Sequence, residues 1–208
     1  MPLPTWEVDL DVFGPVSVKS SAHLREPKGF RLPDPFQSDV RIRPFKGGVQ
    51  ITATAYASTL QNARKVTLVF VGYMLDALTL QINLPLYLSY TASLDFRDSY
   101  SERRLVTEDE WHEAFREARL LALAEPTFLR GLGWYRKGMY SDDALDSFLA
   151  YWNAIEIVAT KYHPENEEAK KGSKSQIWEC FNLIWGECAG WPNIPGQIHW
   201  IDENGFGA

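Results

Sequence analysis

The sequence has few cysteines and no excess of positive charge. It holds two cysteines, Cys180 and Cys188, in 208 residues. Two thiols are too few for a disulfide framework and are typical of a chain whose cysteines stay reduced. Twenty-one Lys and Arg residues against 27 Asp and Glu residues give a net charge of −6. This balance argues against a broad surface for nucleic-acid phosphates, which needs clustered cations.

The sequence also has little that suits a membrane or a secretory pathway. The first ten residues, MPLPTWEVDL, contain neither the basic region nor the apolar core of a signal peptide. The most apolar stretch, residues 66–88, is interrupted by Asp76, Gln81, Asn83 and Pro85. Its uninterrupted part is too short to cross a bilayer. We therefore expect a cytoplasmic protein with no membrane partner.

The first hundred residues combine predicted strands with one long predicted helix. Apolar and polar residues alternate, as in a half-buried strand, in residues 5–14, 40–45, 47–58 and 84–90. The proline-rich stretch 25–37 between the first two predicts a loop. Residues 58–82 have apolar residues at spacings of three and four, which predicts a helix. The run 66–71 would also suit a buried strand, but the length of the segment favours the helix.

A polar segment near residue 100 marks a change of composition. After it, Thr107 and Glu110 have the spacing of a capping box. Helical patterns then follow in residues 108–125, 126–140, 142–160 and 174–188. The sequence therefore predicts an α+β protein with a strand-rich region over residues 1–100 and a helical domain over residues 105–208.

One carboxylate lies within the apolar face of the helix predicted at 142–160. That face consists of Leu145, Phe148, Leu149, Trp152, Ile155, Glu156 and Ala159. A buried carboxylate needs a partner, and the nearest cations in sequence lie on the preceding helix. We therefore predict a structural ion pair between Glu156 and Arg130 or Arg136. The alternatives are a functional carboxylate and a position at the solvent edge of the face.

A second candidate site is basic and aromatic. Lys170, Lys171 and Lys174 lie close in sequence to Trp178. Cations beside an aromatic ring suit contacts with RNA or with a phosphate-bearing ligand. The alternative is a solvated run of charge at the start of a helix.

The remaining polar residues match no catalytic or metal pattern. Cys180, Cys188, His163 and His199 lack the paired spacing of zinc sites. His112 lies among four acidic residues at a helix start, where it forms either an acid–base pair or a solvated face. We expect no metal, no cofactor and no catalytic residue in this chain.

Residues 131–159, GLGWYRKGMYSDDALDSFLAYWNAIEIVA, resemble helical domains of the HEPN superfamily. The branch in question contains the methylamine-utilisation J-like and Apea-like proteins. The matching positions are Tyr135, Asp146, Phe148, Leu149, Trp152, Ile155 and Glu156. The resemblance extends over about residues 48–187 and implies a HEPN-like helical bundle in the second half of the chain.

HEPN proteins often act as metal-independent RNases that use an Arg and a His separated by four to six residues. None of His23, His112, His163 and His199 follows an arginine at that distance. In the family this motif lies on the last helix of the bundle, which would begin about where this chain ends. The chain is then either a truncated form of the bundle or a natural short form, and in each case the family's catalytic residues transfer to no position here.

Three functions follow as expectations. The favoured one is a non-catalytic interaction or structural module that forms a homodimer or binds a protein partner. The second is an RNase-type toxin or defence component whose Arg–His motif lies past residue 208, although RNA is not the favoured partner. The third is a small-ligand-binding protein with a tryptophan-lined pocket between the two halves.

Overall fold

The computed structural model describes residues 3–30, 36–89 and 102–186. The chain divides into two compact units, residues 1–154 and 155–208. The described residues form a five-stranded antiparallel sheet, a two-stranded parallel ladder and five α-helices. The predicted α+β class is confirmed. The first unit extends past the predicted domain boundary near residue 105, because helices on both sides of it pack together.

The sheet belongs to the first unit and has the strand order β3-β4-β5-β1-β6. Apolar residues alternate along its long strands, and Leu10, Ile42 and Ile51 are fully buried in its core. Residues of β2 and β7 pair in parallel apart from this sheet. The strands are β1 Thr5–Phe13, β2 Val16–Ser17, β3 Ala22–Pro27, β4 Gln37–Phe45, β5 Gly48–Tyr56, β6 Tyr87–Ser89 and β7 Arg104–Leu105.

Helix α1, Leu60–Ile82, confirms the helical interpretation of its segment. The Thr59 side chain accepts from the Asn62 N–H at its start, and Asn83 ends it in the left-handed conformation. Its buried residues include Met74, Leu75 and Leu78, which belong to the main core with the sheet. By length and composition α1 could cross a membrane, but half of its apolar window is buried within the protein.

Helices α2 and α3 complete the packing around α1. Helix α2, Glu108–Ala124, begins with the predicted capping box of Thr107 and Glu110. Its Trp111 is fully buried. Helix α3, Pro126–Tyr140, has Pro126 in its first turn, where a missing N–H costs nothing. Both helices contact α1 and each other.

Helix α4, Ala144–Tyr162, corrects the expected direction of its apolar face. Leu145, Phe148, Leu149 and Trp152 are exposed, by 65 %, 59 %, 46 % and 40 %. We call these four residues the α4 stripe. The helix instead turns smaller or polar residues towards α3: the Ser147 hydroxyl donates to the Gly138 carbonyl, and Ala150 is buried. The apolar spacing predicted correctly that these residues share one face of a helix. The expectation that this face is buried is wrong, because it is exposed to solvent.

The second unit is described up to residue 186. It contains the end of α4, a short 3₁₀ helix at Ala169–Lys171 and helix α5, Ser173–Trp185. Ala159, Ile177 and Cys180 form a small apolar cluster there. The Trp185 side chain at the end of α5 is exposed. Two of the four residues considered for a zinc site, Cys188 and His199, lie outside the described residues.

Candidate functional site

A cleft of about 420 Å³ lies between α1 and α3 in the first unit. We call it the α1–α3 cleft. Its lining combines a carboxylate, two cations and three aromatic rings, namely Asp76, Arg130, Lys137, Tyr73, Trp134 and Tyr140. Concave sites of this size with a few convergent polar groups are the usual form of small-ligand sites.

A buried ion pair lies beside this cleft. Asp76 is 5 % exposed, and Arg136 Nε donates to its Oδ1 at 2.6 Å. Burial raises the pKa of Asp76, and Arg136 offsets part of that rise. Arg136 also donates to the Leu86 carbonyl at 3.2 Å. A Cβ at Gly133 would approach Asp76 Oδ2 to 3.3 Å, so a glycine there gives the carboxylate room.

The two other cations of the cleft lie on one side of α3. Arg130 and Lys137 are seven residues apart, which is about two helical turns, and both are exposed. The Lys137 ammonium lies 4.8 Å from the centroid of the Trp134 ring, within the range of a cation–π contact. The cleft therefore places positive charge beside aromatic surface.

The predicted pair of Glu156 with Arg130 or Arg136 remains a prediction. Arg136 forms its ion pair with Asp76, and Arg130 lines the α1–α3 cleft. Glu156 is half-buried on the part of α4 that belongs to the second unit.

A second cleft, of about 470 Å³, lies between the end of β3 and α2. There His112 Nδ1 contacts the carboxylate of Glu26, which is buried. Burial raises the pKa of Glu26, and His112 opposes this rise. His112 thus has its acidic partner on β3 rather than in its own helix. Within the described residues, no three His, Cys, Asp or Glu side chains cluster so as to hold a metal ion.

The basic segment of the second unit is partly neutralised. Lys170 pairs with Glu167 and Lys171 with Glu168, each at 2.5 Å and each exposed. Lys174 is exposed and Trp178 is half-buried on α5. The contact of this segment with RNA or a phosphate ligand remains a prediction. Two of its three lysines, Lys170 and Lys171, are already paired with glutamates.

Sequence reasoning missed Asp76 and Glu26 as site residues. Asp76 had a visible signal, because it is a single acidic residue within an apolar helical pattern. Its partner Arg136 is 60 residues away, so spacing could not identify the pair. Glu26 had no signal, since it lay in a segment predicted to be a loop.

Comparison with protein-family models, with curated proteins and with solved structures finds no match for this chain. The functional conclusions therefore depend on the geometry of the α1–α3 cleft and of the α4 stripe.

Proposed function

We propose that this protein is a non-catalytic interaction module that pairs with a second copy of itself through the α4 stripe. The observation that carries this function is the exposure of four large apolar side chains on adjacent turns of one helix. Contiguous apolar surface of this kind marks protein interaction sites. Phe148 and Trp152 are also stacked, with ring centroids 6.3 Å apart, and aromatic residues are enriched at interfaces.

Charge favours a second copy in antiparallel orientation. The α4 stripe carries no charge, so two identical stripes meet without like-charge contact. Asp142, Asp143 and Asp146 all lie at its N-terminal end. In an antiparallel pair around a two-fold axis through the middle of the stripe, the two acidic ends are on average about 15 Å apart along the helix axis, given 1.5 Å per residue. A parallel pair would bring them together.

The resemblance to HEPN domains is part of the same proposal. Helices α3 and α4 follow each other over the segment 131–159 that carries the resemblance, and this supports it. The HEPN-like helical bundle, the cytoplasmic location and the absence of a membrane partner remain predictions. The RNase alternative places its Arg–His motif past residue 208, and no observation on the described residues favours it.

Light scattering during size-exclusion chromatography tests the self-association. We expect the wild type to dimerise between about 1 and 100 μM, and Phe148→Glu to weaken the dimer at least about 30-fold, as loss of an interface hot spot does. Leu120→Glu on α2 is the matched control, because Leu120 is also exposed, by 52 %.

The control variant should dimerise like the wild type. A wild-type protein that stays monomeric over this range, or a Phe148→Glu dimer as tight as the wild type, would contradict the proposal. Circular dichroism of each variant shows whether its helices remain folded.

Small-ligand binding is the second candidate function. The α1–α3 cleft favours it, because apolar rings and a few polar groups converge there. This role does not exclude self-association, since the α4 stripe and the cleft share no residue.

A further inference from the structure

We propose that the α1–α3 cleft binds a small organic anion that carries an aromatic ring. The inference rests on the ligand-binding role, the second candidate function, and specifies its ligand class.

The charges of the cleft select an anion. Asp76 is already paired with Arg136, so the two charges offset each other. Arg130 and Lys137 remain, and in the described part of the chain neither forms a salt bridge with a carboxylate. A bound anion would therefore meet two unpaired cations on one side of α3. The same two charges would repel a cationic ligand. Asp76, the only carboxylate among the cleft residues, is paired with Arg136 and so does not attract one.

The rings of the cleft select an aromatic group. Tyr73, Trp134 and Tyr140 line it and are all half-buried, so each still presents part of its ring. The Tyr73 ring is held by an edge contact with Phe30, with centroids 5.8 Å apart. The Arg136 guanidinium lies 5.9 Å from the centroid of the Tyr140 ring and holds that ring by a cation–π contact. Preformed aromatic walls reduce the entropy that a ligand must lose on binding.

A ligand with one ring system and one anionic group fits the size of the cleft. The cleft volume of about 420 Å³ is near the lower end of the range for small-ligand sites. The Lys137 ammonium already lies over Trp134. An anion at Lys137 would therefore place its attached ring beside the aromatic wall without a rearrangement of α3.

Isothermal titration calorimetry with four small probes tests the class. Phenyl phosphate carries both a ring and an anion, inorganic phosphate only the anion, phenol only the ring, and benzylamine a ring and a cation. We expect phenyl phosphate to bind the full chain at least about ten-fold more tightly than each of the other three.

Variants locate the binding. Arg130→Ala and Lys137→Ala should each weaken phenyl phosphate binding about five-fold, and Trp134→Ala should reduce its advantage over inorganic phosphate. Lys65→Ala is the matched control, because it removes an exposed cation from α1 outside the cleft. This variant should bind phenyl phosphate with the affinity of the wild type. Thermal unfolding of each variant confirms that it is folded.

The outcomes separate the ligand class from the ligand-binding role. If phenol or benzylamine binds more tightly than phenyl phosphate and loses affinity in Trp134→Ala, the anionic class is wrong and the binding role stands. If none of the probes binds at millimolar concentration, or if none of the cleft variants changes binding, both are overturned.

Discussion

Lys28 is a cation buried without a carboxylate partner in the described part of the chain. It is 3 % exposed, donates to the Thr54 carbonyl at 3.1 Å and lies 5.0 Å from the centroid of the Phe70 ring. Burial lowers its pKa to about 8 from 10.5. The unfolded chain therefore binds this proton more tightly than the folded chain does. The free energy of unfolding should rise as the pH increases from about 8 to 10.5.

Replacing Lys28 by Met should stabilise the protein at neutral pH. The variant avoids the cost of a buried charge, so we expect a gain of about 1 to 3 kcal/mol at pH 7 and a smaller gain above pH 10. Urea unfolding at several pH values measures both effects. Lys65→Met, at an exposed position, is the control and should change stability by less than about 0.5 kcal/mol. A Lys28→Met protein that is less stable than the wild type at pH 7 would contradict this account.

The Asp76–Arg136 pair should be costly to break and cheaper to replace. Asp76→Asn leaves the Arg136 charge, whose side chain is 13 % exposed, without its counter-ion. We expect a loss of about 3 kcal/mol or more. The double variant Asp76→Leu with Arg136→Met should be closer to the wild type, because it removes both buried charges. Chemical denaturation compares the two, and equal losses would show that the pair is not the cause.

At the scale of the helices, two glycines have opposite environments. A Cβ at Gly138 would lie 2.6 Å from the Tyr151 ring on α4, whereas a Cβ at Gly72 would meet nothing within 4 Å. Gly138→Ala should therefore destabilise the protein by about 1 to 3 kcal/mol through overpacking. Gly72→Ala should stabilise it by about 0.5 to 1 kcal/mol through helix propensity. Thermal unfolding of both variants checks the contrast, which would fail if Gly138→Ala were also stabilising.

Elements with a local signal could be predicted from the sequence. Strands β1, β4 and β5 alternate, and α1 and α2 have periodic apolar residues and side-chain caps. Strand β3 was missed because Arg25, Glu26 and Pro27 belong to a segment whose prolines suggest a loop, and only pairing with β4 makes it a strand. The direction of α4 was wrong because a periodic stripe does not specify which face meets a neighbour. The close approach of the Tyr151 ring to Gly138 determines which face of α4 packs against α3. Neither residue indicates this contact in the sequence.

At the scale of the whole molecule, the contacts between residues that are far apart in the chain could not be predicted from the sequence. The α+β class could be predicted, because alternation and helical periodicity are local patterns. The candidate sites depend on Asp76 with Arg136 and on Glu26 with His112, which lie on separate elements. A single sequence gives the residues of such pairs but not their partners.

The strand order has a consequence for synthesis on the ribosome. Strand β1 is made first, yet it lies between β5 and β6, and its residues 11–13 pair with residues 87–89. One edge of β1 therefore stays unpaired until α1 and β6 have been translated, which takes roughly 4 to 15 seconds for the 76 residues between them at about 5 to 20 residues per second. During that interval the nascent chain exposes an unpaired strand edge and the apolar face of a helix, and both features favour aggregation.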